Sequence, residues 1–371
     1  MNQAPRIIIS GGGTGGHIFP AISIANAIKE ARPNAEILFV GATGKMEMER
    51  VPAAGYRIEG IPARGLKRPL YSLSNIGVIV DYLRCRRKAG EILNKFRPHL
   101  VIGVGGFASA AIVSMAGKRK IPVLLQEQNS FAGLVNTRNG SVAKRICVAY
   151  SNMERFFAKE KIVLTGNPIR SVITPCTPQM REEGLKFYNL NPQIKTIFVV
   201  GGSLGCRTLN NCVKRAIEES RPEREGYQII WQCGKIYKEE TDRFNKEHKS
   251  ERIHCSDFIQ RMDLAYAAAD IVISRAGAGT ISELCVAGKC TIFVPSPNVA
   301  EDHQTHNAMA LVNENAALMV RDADALERLF PAAEELLGDA KRRESLERNI
   351  AKLAKANAAE EIAKECFNLI D

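Results

Sequence analysis

The chain has 371 residues, more than one ordinary hydrophobic core encloses and enough for two domains. Its 45% hydrophobic and 25% charged residues exclude a disordered or fibrous protein. The net charge is +11, and ten Lys and Arg stand against three Asp and Glu between Arg57 and Arg97. That stretch suits an anionic partner (a phosphate substrate, nucleic acid or a membrane surface) or a solvated basic face.

The opening MNQAPRIIIS has neither the charged start nor the long apolar run of a secretory signal, so a cytoplasmic chain is expected. Ten cysteines contain no CxxC pair, which speaks for reduced thiols and against structural zinc.

In chain order, Arg6 to Ser10 reads as a buried parallel strand, because Ile7, Ile8 and Ile9 show no polar alternation. The glycine loop Gly11–His17 follows. Ile18 to Glu30 has helical apolar spacing, and Glu36 to Val40 is a second strand. Leu100 to Gly117 carries no charge over eighteen residues, the lower limit for a membrane span. Gly103, Gly105 and Gly106 interrupt it, so strand, turn and helix is the expected reading. Ile121 to Leu125 is a further strand, with a polar loop from Gln126 to Ser130. The pattern restarts at Thr196 to Val200, which runs into a second glycine loop and a helix from about Thr208. Strands follow at Tyr227 to Gln232, Ile253 to Cys255, Ile271 to Ser274 and Thr291 to Val294. Ala332 to Asp371 reads as helix.

Such alternation predicts an α/β fold with two doubly wound parallel sheets and a cleft between them. Gly166-Asn167-Pro168 is the expected joint. Ligands bind beyond the carboxyl ends of such strands. The chemistry is therefore expected on loops 10–17, 103–109, 126–133, 201–207, 257–262, 274–283 and 295–307.

Gly11, Gly13 and Gly16 satisfy G-x-G-x-x-G, and the helix after them offers N–H groups to an anion. A dinucleotide site also wants an acid ending the second strand, but that strand ends Val40-Gly41-Ala42. No Lys-Ser/Thr follows to make a Walker loop. His17, on the first helical turn, suits a general base, a phosphate ligand or a cap. Ser274–Glu283 repeats the strand-to-helix device. There Glu283 suits either a ribose diol or a capping box with Thr280. Asp302, His303 and His306 are too loosely spaced for a metal site without a distant ligand, so none is expected.

Eight segments in order resemble one family: GGGTGGHIFPA, GVGGFAS, QEQNSFAGLVN, GNPIR, GGSLGCR, FIQRM, SRAGAGTISE and EDHQTHNA. They resemble the MurG family, the bacterial UDP-N-acetylglucosamine:lipid I N-acetylglucosaminyltransferases of peptidoglycan synthesis. The resemblance spans nearly the whole chain. It implies a GT-B fold of two Rossmann-like domains, residues 1–167 for the acceptor and 168–354 for UDP-GlcNAc. A C-terminal helix, about 355–371, would pack back on the first domain.

The reaction implied is inverting transfer of GlcNAc to the C4 hydroxyl of MurNAc in lipid I, giving lipid II. Another lipid-directed GT-B transferase using a UDP-sugar is the alternative. For the donor, the resemblance implies Ile259 at uracil through its backbone and Glu283 at the ribose. Ala278, Gly279, Thr280, Ser203 and Arg170 would serve the phosphates and nucleotide pocket, and Gln304 and Asn129 the sugar. For the acceptor diphosphate it implies Gly13, Thr14, Gly15 and Gly16 with Gly105 and Gly106. Thr14, Gly15 and Gly16 are candidate donor contacts as well, and His17 is the candidate catalytic base. Two departures stand out: Thr305 replaces a glutamine found in some members, and Gly279 a bulkier residue.

No cofactor, metal or nucleic acid is expected. The expected location is peripheral, at the cytoplasmic face of the membrane, with other cell-wall enzymes as further candidate partners. The anionic membrane surface would be met by Ile76, Ile79, Val80 and Leu83 with Arg84, Arg86 and Arg87; a core-packing helix with a basic outer face is the other reading.

Overall fold

The computed structural model describes residues 4–63, 76–202, 204–299 and 302–371, with side chains for all of these except 76–80. The chain divides into two compact units: Met1–Ile169 with Ala356–Asp371, and Arg170–Lys355. The expected joint at 167/168 lies two residues before the observed one.

The first unit contains β1 (Arg6–Ser10), α1 (Gly15–Ala31), β2 (Glu36–Ala42), α2 (Glu47–Ala53), β3 (Arg57–Ile61) and α3 (Ile76–Phe96). It continues with β4 (Leu100–Gly103), α4 (Phe107–Lys118), β5 (Val123–Glu127), α5 (Leu134–Asn139), β6 (Arg145–Val148) and β7 (Ile162–Leu164). The seven strands are parallel, in the order β3-β2-β1-β4-β5-β6-β7. Ile8 faces one apolar cluster, while Ile7 and Ile9 face the other. Helices cover both faces, which is why β1 is apolar at every other position and the next.

Leu100–Gly117 is β4, a glycine turn and α4. Among the described residues no helix is long and apolar enough to cross a membrane. Strands β3, β6 and β7 were not expected. They are short, and Arg57, Glu59 and Arg145 break their apolar runs, so their pairing with neighbours decides them. The segment from Gln126 was expected as a polar loop, yet Gln126 and Glu127 end β5, and both are buried with Gln128 and Ser130.

The second unit begins with α6 (Pro178–Phe187), β8 (Lys195–Val200), α7 (Arg207–Glu218), α8 (Arg221–Arg224), β9 (Tyr227–Gln232), α9 (Lys238–Glu247) and β10 (Ile253–Ser256). Then come α10 (Met262–Ala268), β11 (Ile271–Ser274), α11 (Ala278–Ala287), β12 (Thr291–Phe293), α12 (His303–Val312), β13 (Leu318–Met319), α13 (Ala325–Gly338) and α14 (Ala340–Lys352). Its six strands are again parallel, ordered β10-β9-β8-β11-β12-β13.

The last helix, α15 (Ala358–Asn368), belongs to the first unit, where Ile362, Ala363 and Cys366 join the cluster of Ile18 and Ile28. Arg145 pairs with Glu365 at 3.2 Å. Residues 332–371, which read as helix, are the end of α13, then α14 and α15. One break is at Asp339, whose Oδ1 caps α14 by accepting the Arg342 N–H at 2.9 Å.

Both sheets reverse their strand order once, between β1 and β4 and between β8 and β11. Such switch points open a crevice at the strands' carboxyl ends. Each glycine loop found in the sequence leaves one of these four strands.

Candidate active site

In the first unit, Thr14 is the N-cap of α1, and the first N–H groups with a partner in that helix are those of His17 and Ile18, both on the Thr14 carbonyl. The N–H groups of Gly15 and Gly16 therefore keep their capacity for an anion. Gly13 differs. Its N–H donates to Glu47 Oε2 at 3.0 Å, and Ala42 N–H donates to Oε1 at 2.9 Å. Glu47 is fully buried behind the loop. A Cβ on Gly12 would stand 2.1 Å from its Oε1, and one on Gly41 2.5 Å from its Cγ, so these glycines make room for the carboxylate. Gly13 was expected to cradle a diphosphate; its N–H instead secures the loop.

The two glycine loops of this unit interlock. A Cβ on Gly106 would lie 2.3 Å from the Gly12 carbonyl oxygen, and one on Gly105 2.9 Å from His17 Cε1. Both have positive φ, +93° and +81° for Gly105 and Gly106. They thus seat the His17 ring and the first loop. His17 Nδ1 lies 2.9 Å from Gln128 Oε1, and Gln128 Nε2 donates to the Val104 carbonyl at 2.9 Å. Asn129 is held by Glu127, whose Oε1 accepts its backbone N–H at 3.0 Å and its Nδ2 at 3.3 Å. Glu127 Oε2 also accepts from Gly133 N–H and Asn136 Nδ2. A buried carboxylate therefore shapes the whole 128–136 loop.

In the second unit, Gly277 is the N-cap of α11, and Ile281 donates to its carbonyl. Ala278, Gly279 and Thr280 are the first three helical residues, and their N–H groups have no helical acceptor. This removes the capping-box reading of Glu283, which needs Thr280 as the cap. Instead Glu283 is buried and bonded on both oxygens: Arg170 Nε to Oε1 at 2.7 Å and Arg170 Nη2 to Oε2 at 2.6 Å. Tyr266 Oη adds a bond to Oε2 at 3.3 Å. Burial and the Glu283 charge push the Tyr266 phenol well up, which keeps it a donor. Burial opposes charge on Arg170 as well, but the bonds from Glu283 outweigh it and hold the guanidinium protonated.

One turn away, a cavity of about 780 Å³ opens at the β8/β11 switch point. Thr280 and Gln304 line it with Gly201, Gly202, Arg207 and Arg275. Gln304 Oε1 accepts the Ser296 N–H at 2.9 Å, which orients its amide. Arg170, Glu283, Ile259, Ala278 and Gly279 are not among the lining residues. Ile259 N–H donates to Gln232 Oε1 at 2.9 Å, so its carbonyl is the backbone group left for a base. Ser203 lies outside the described residues. Among those described, no three His, Cys, Asp or Glu stand together as metal ligands.

The family 28 glycosyltransferase N-terminal domain matches residues 7–148, and the family's C-terminal domain matches 196–365. A UDP-N-acetylglucosamine–N-acetylmuramyl-(pentapeptide) pyrophosphoryl-undecaprenol N-acetylglucosamine transferase of Phocaeicola vulgatus is 52% identical, covering 100% of this chain and 98% of its own. Its counterpart in Bacteroides fragilis is 51% identical, over 100% and 97%. The crystal structure of Acinetobacter baumannii MurG is 26% identical with a TM-score of 0.78, covering 98% of this chain and 99% of its own. The chain belongs to the MurG family of glycosyltransferases. Its fold is GT-B, built from two Rossmann-like parallel-sheet domains.

The MurG motifs pointed to several of these positions but left others unmarked. Arg207 and Arg275 stand inside quoted motifs, yet nothing local assigns them a role. Arg275 donates to the Val294 and Pro295 carbonyls at 2.9 and 3.0 Å and pairs with Asp322 at 2.5 Å. Tyr237, whose ring meets Arg207 at 5.5 Å, and Asp322 reach the cavity from separate elements and left no sequence signal.

Proposed function

We propose that this chain transfers GlcNAc from UDP-GlcNAc, with inversion, to the C4 hydroxyl of MurNAc in lipid I, giving lipid II for peptidoglycan synthesis. The carrying observation is that each unit has its own glycine loop opening a helix at a sheet switch point. A reaction joining two diphosphate-bearing substrates needs two such anion sites. The relatives named for this transfer, half identical over the whole chain, support the same reading.

In the second unit, the α11 N–H groups receive the donor diphosphate, and Glu283 accepts the ribose hydroxyls. Charge developing on departing UDP is stabilised where these N–H groups point. The Arg170 charge is already compensated by Glu283 and the Arg275 charge by Asp322, so Arg207 at the cavity supplies a positive side chain. Gln304, Asn129 and Ser203 serve the donor as the family resemblance implies. In the first unit, Gly15, Gly16, Gly105 and Gly106 receive the acceptor diphosphate, and His17 takes the C4 hydroxyl proton. The oxygen's electron pair then attacks the sugar's anomeric carbon, and UDP leaves with the broken bond's pair. No metal or cofactor takes part, so a chelator leaves turnover unchanged.

The enzyme works peripherally at the cytoplasmic membrane face, beside other cell-wall enzymes. Support comes from α3. Cys85, Ala89, Ile92 and Leu93 bury one face, while Leu83 is 59% exposed beside outward Arg84 and Arg87 and half-buried Arg86. The side chains of Ile76, Ile79 and Val80 lie outside the described residues. Sedimentation with anionic vesicles that ignores salt and Leu83→Ser rejects this placement.

Labelled UDP-GlcNAc with a lipid I analogue is expected to give lipid II, with UDP-glucose as the control donor. Transfer from UDP-glucose alone overturns the assignment. His17→Ala is expected to lower kcat by about 10²–10⁴-fold with donor affinity intact. Near-normal turnover across pH removes His17 as the base.

A further inference from the structure

We propose that Gln128 is a positioning residue that decides which nitrogen of His17 carries the proton. The inference rests on the reading that His17 serves the acceptor hydroxyl.

Three buried amides form a chain ending at the ring. Gln126, Gln128 and Asn167 are 0%, 2% and 1% exposed. Asn167 Nδ2 donates to the Gln128 backbone carbonyl at 3.0 Å, and its Oδ1 accepts from Gln126 Nε2 at 3.0 Å. Gln126 Oε1 accepts in turn from Gln128 Nε2. Gln128 Nε2 also donates to the Val104 carbonyl at 2.9 Å. Each amide is thereby oriented by the next, and backbone carbonyls, which only accept, anchor both ends. Turning the Gln128 amide over sets its oxygen against two others, with water excluded. Its Oε1 therefore faces His17, and at 2.9 Å His17 Nδ1 must be the donor.

A neutral His17 then carries its lone pair on Nε2. Gly105 leaves room for the ring in this position, since a Cβ there would stand 3.0 Å from Nδ1. The acceptor is an amide and not a carboxylate, so it sets the tautomer without adding a charge that favours the protonated ring. A base must be neutral before it accepts a proton, and this arrangement supplies that form with Nε2 as the accepting atom. Asn167, read from sequence only as part of a joint, is the far end of this chain.

The test uses full-length protein with ¹⁵N-labelled histidine and long-range ¹H–¹⁵N NMR, the His17 signals being those lost in His17→Ala. The wild-type neutral ring is expected to show Nδ1–H and an unprotonated Nε2. A ring protonated at Nε2 overturns the proposal without any variant. Gln128→Leu is expected to shift the ring toward Nε2–H and to lower kcat on the order of 10²-fold with donor KM unchanged. Folded Gln128→Leu with an unaltered tautomer overturns the positioning role. Normal turnover in His17→Ala is a separate result, and overturns the base reading instead.

Discussion

Two buried carboxylates, Glu47 and Glu283, each gather donors from separate parts of their unit. Glu283, which we propose as the ribose ligand, neutralises Arg170 and accepts from Tyr266. Glu283→Gln is expected to weaken UDP-GlcNAc binding by about 1.5–3 kcal/mol, the range for hydrogen bonds to a charged group. Titration calorimetry checks this, and unchanged affinity confines Glu283 to its ion pair. Glu47→Ala leaves the N–H groups of Gly13 and Ala42 without their acceptor, at a cost of roughly 1–3 kcal/mol each. Urea unfolding with an unshifted midpoint would show that the loop does not depend on it. Glu283 was visible in the sequence because its motif is contiguous. Glu47 was not, because Gly13 and Glu47 meet only when β1 and β2 pair.

At the scale of elements, the two sheets depend on where strands begin as well as where they end. Asp270, just before β11, accepts the Thr196 N–H at 2.8 Å and pairs with Arg181 of α6 at 3.1 Å and Lys195 of β8 at 3.3 Å. Burial pushes this carboxyl up, but the Thr196 bond and the two cations outweigh it and hold it below the ordinary aspartate value. A folded value below the unfolded one stabilises above the unfolded value, and that contribution disappears as pH falls through the folded one. Asp270→Asn is therefore expected to lower the urea midpoint at pH 7, with the gap to wild type closing below about pH 4. A pH-independent gap contradicts the ion-pair account. The central strands were legible from their β-branched runs, as in β1 and β11. Strands β3 and β7 were not, since polar and half-buried segments become strands through pairing alone.

For the molecule as a whole, the chain order of the units is not their spatial grouping: α15 completes the core of the first unit after the second has been built. Burying Ile362 alone is worth about 1.5–3 kcal/mol, and each kcal/mol moves the midpoint of a domain this size by about 2–4 °C. Deleting residues 356–371 is expected to lower the melting of the first unit by about 5–10 °C and leave UDP binding by the second intact. Calorimetry with a single unshifted transition rules this out.

The sequence by itself determined the two parallel sheets, the glycine loops at their switch points and the family. These rest on contiguous signals: apolar runs, glycines and spaced motifs that physics reads locally. Only the tertiary structure decided that Gly13 serves Glu47, that Gly277 caps α11 in place of Thr280, and that Arg170 is spent on Glu283. It alone joined Asn167, Gln126 and Gln128 to His17. Those facts concern groups far apart in the chain, and a buried polar atom reveals its partner only once packing has removed water from both.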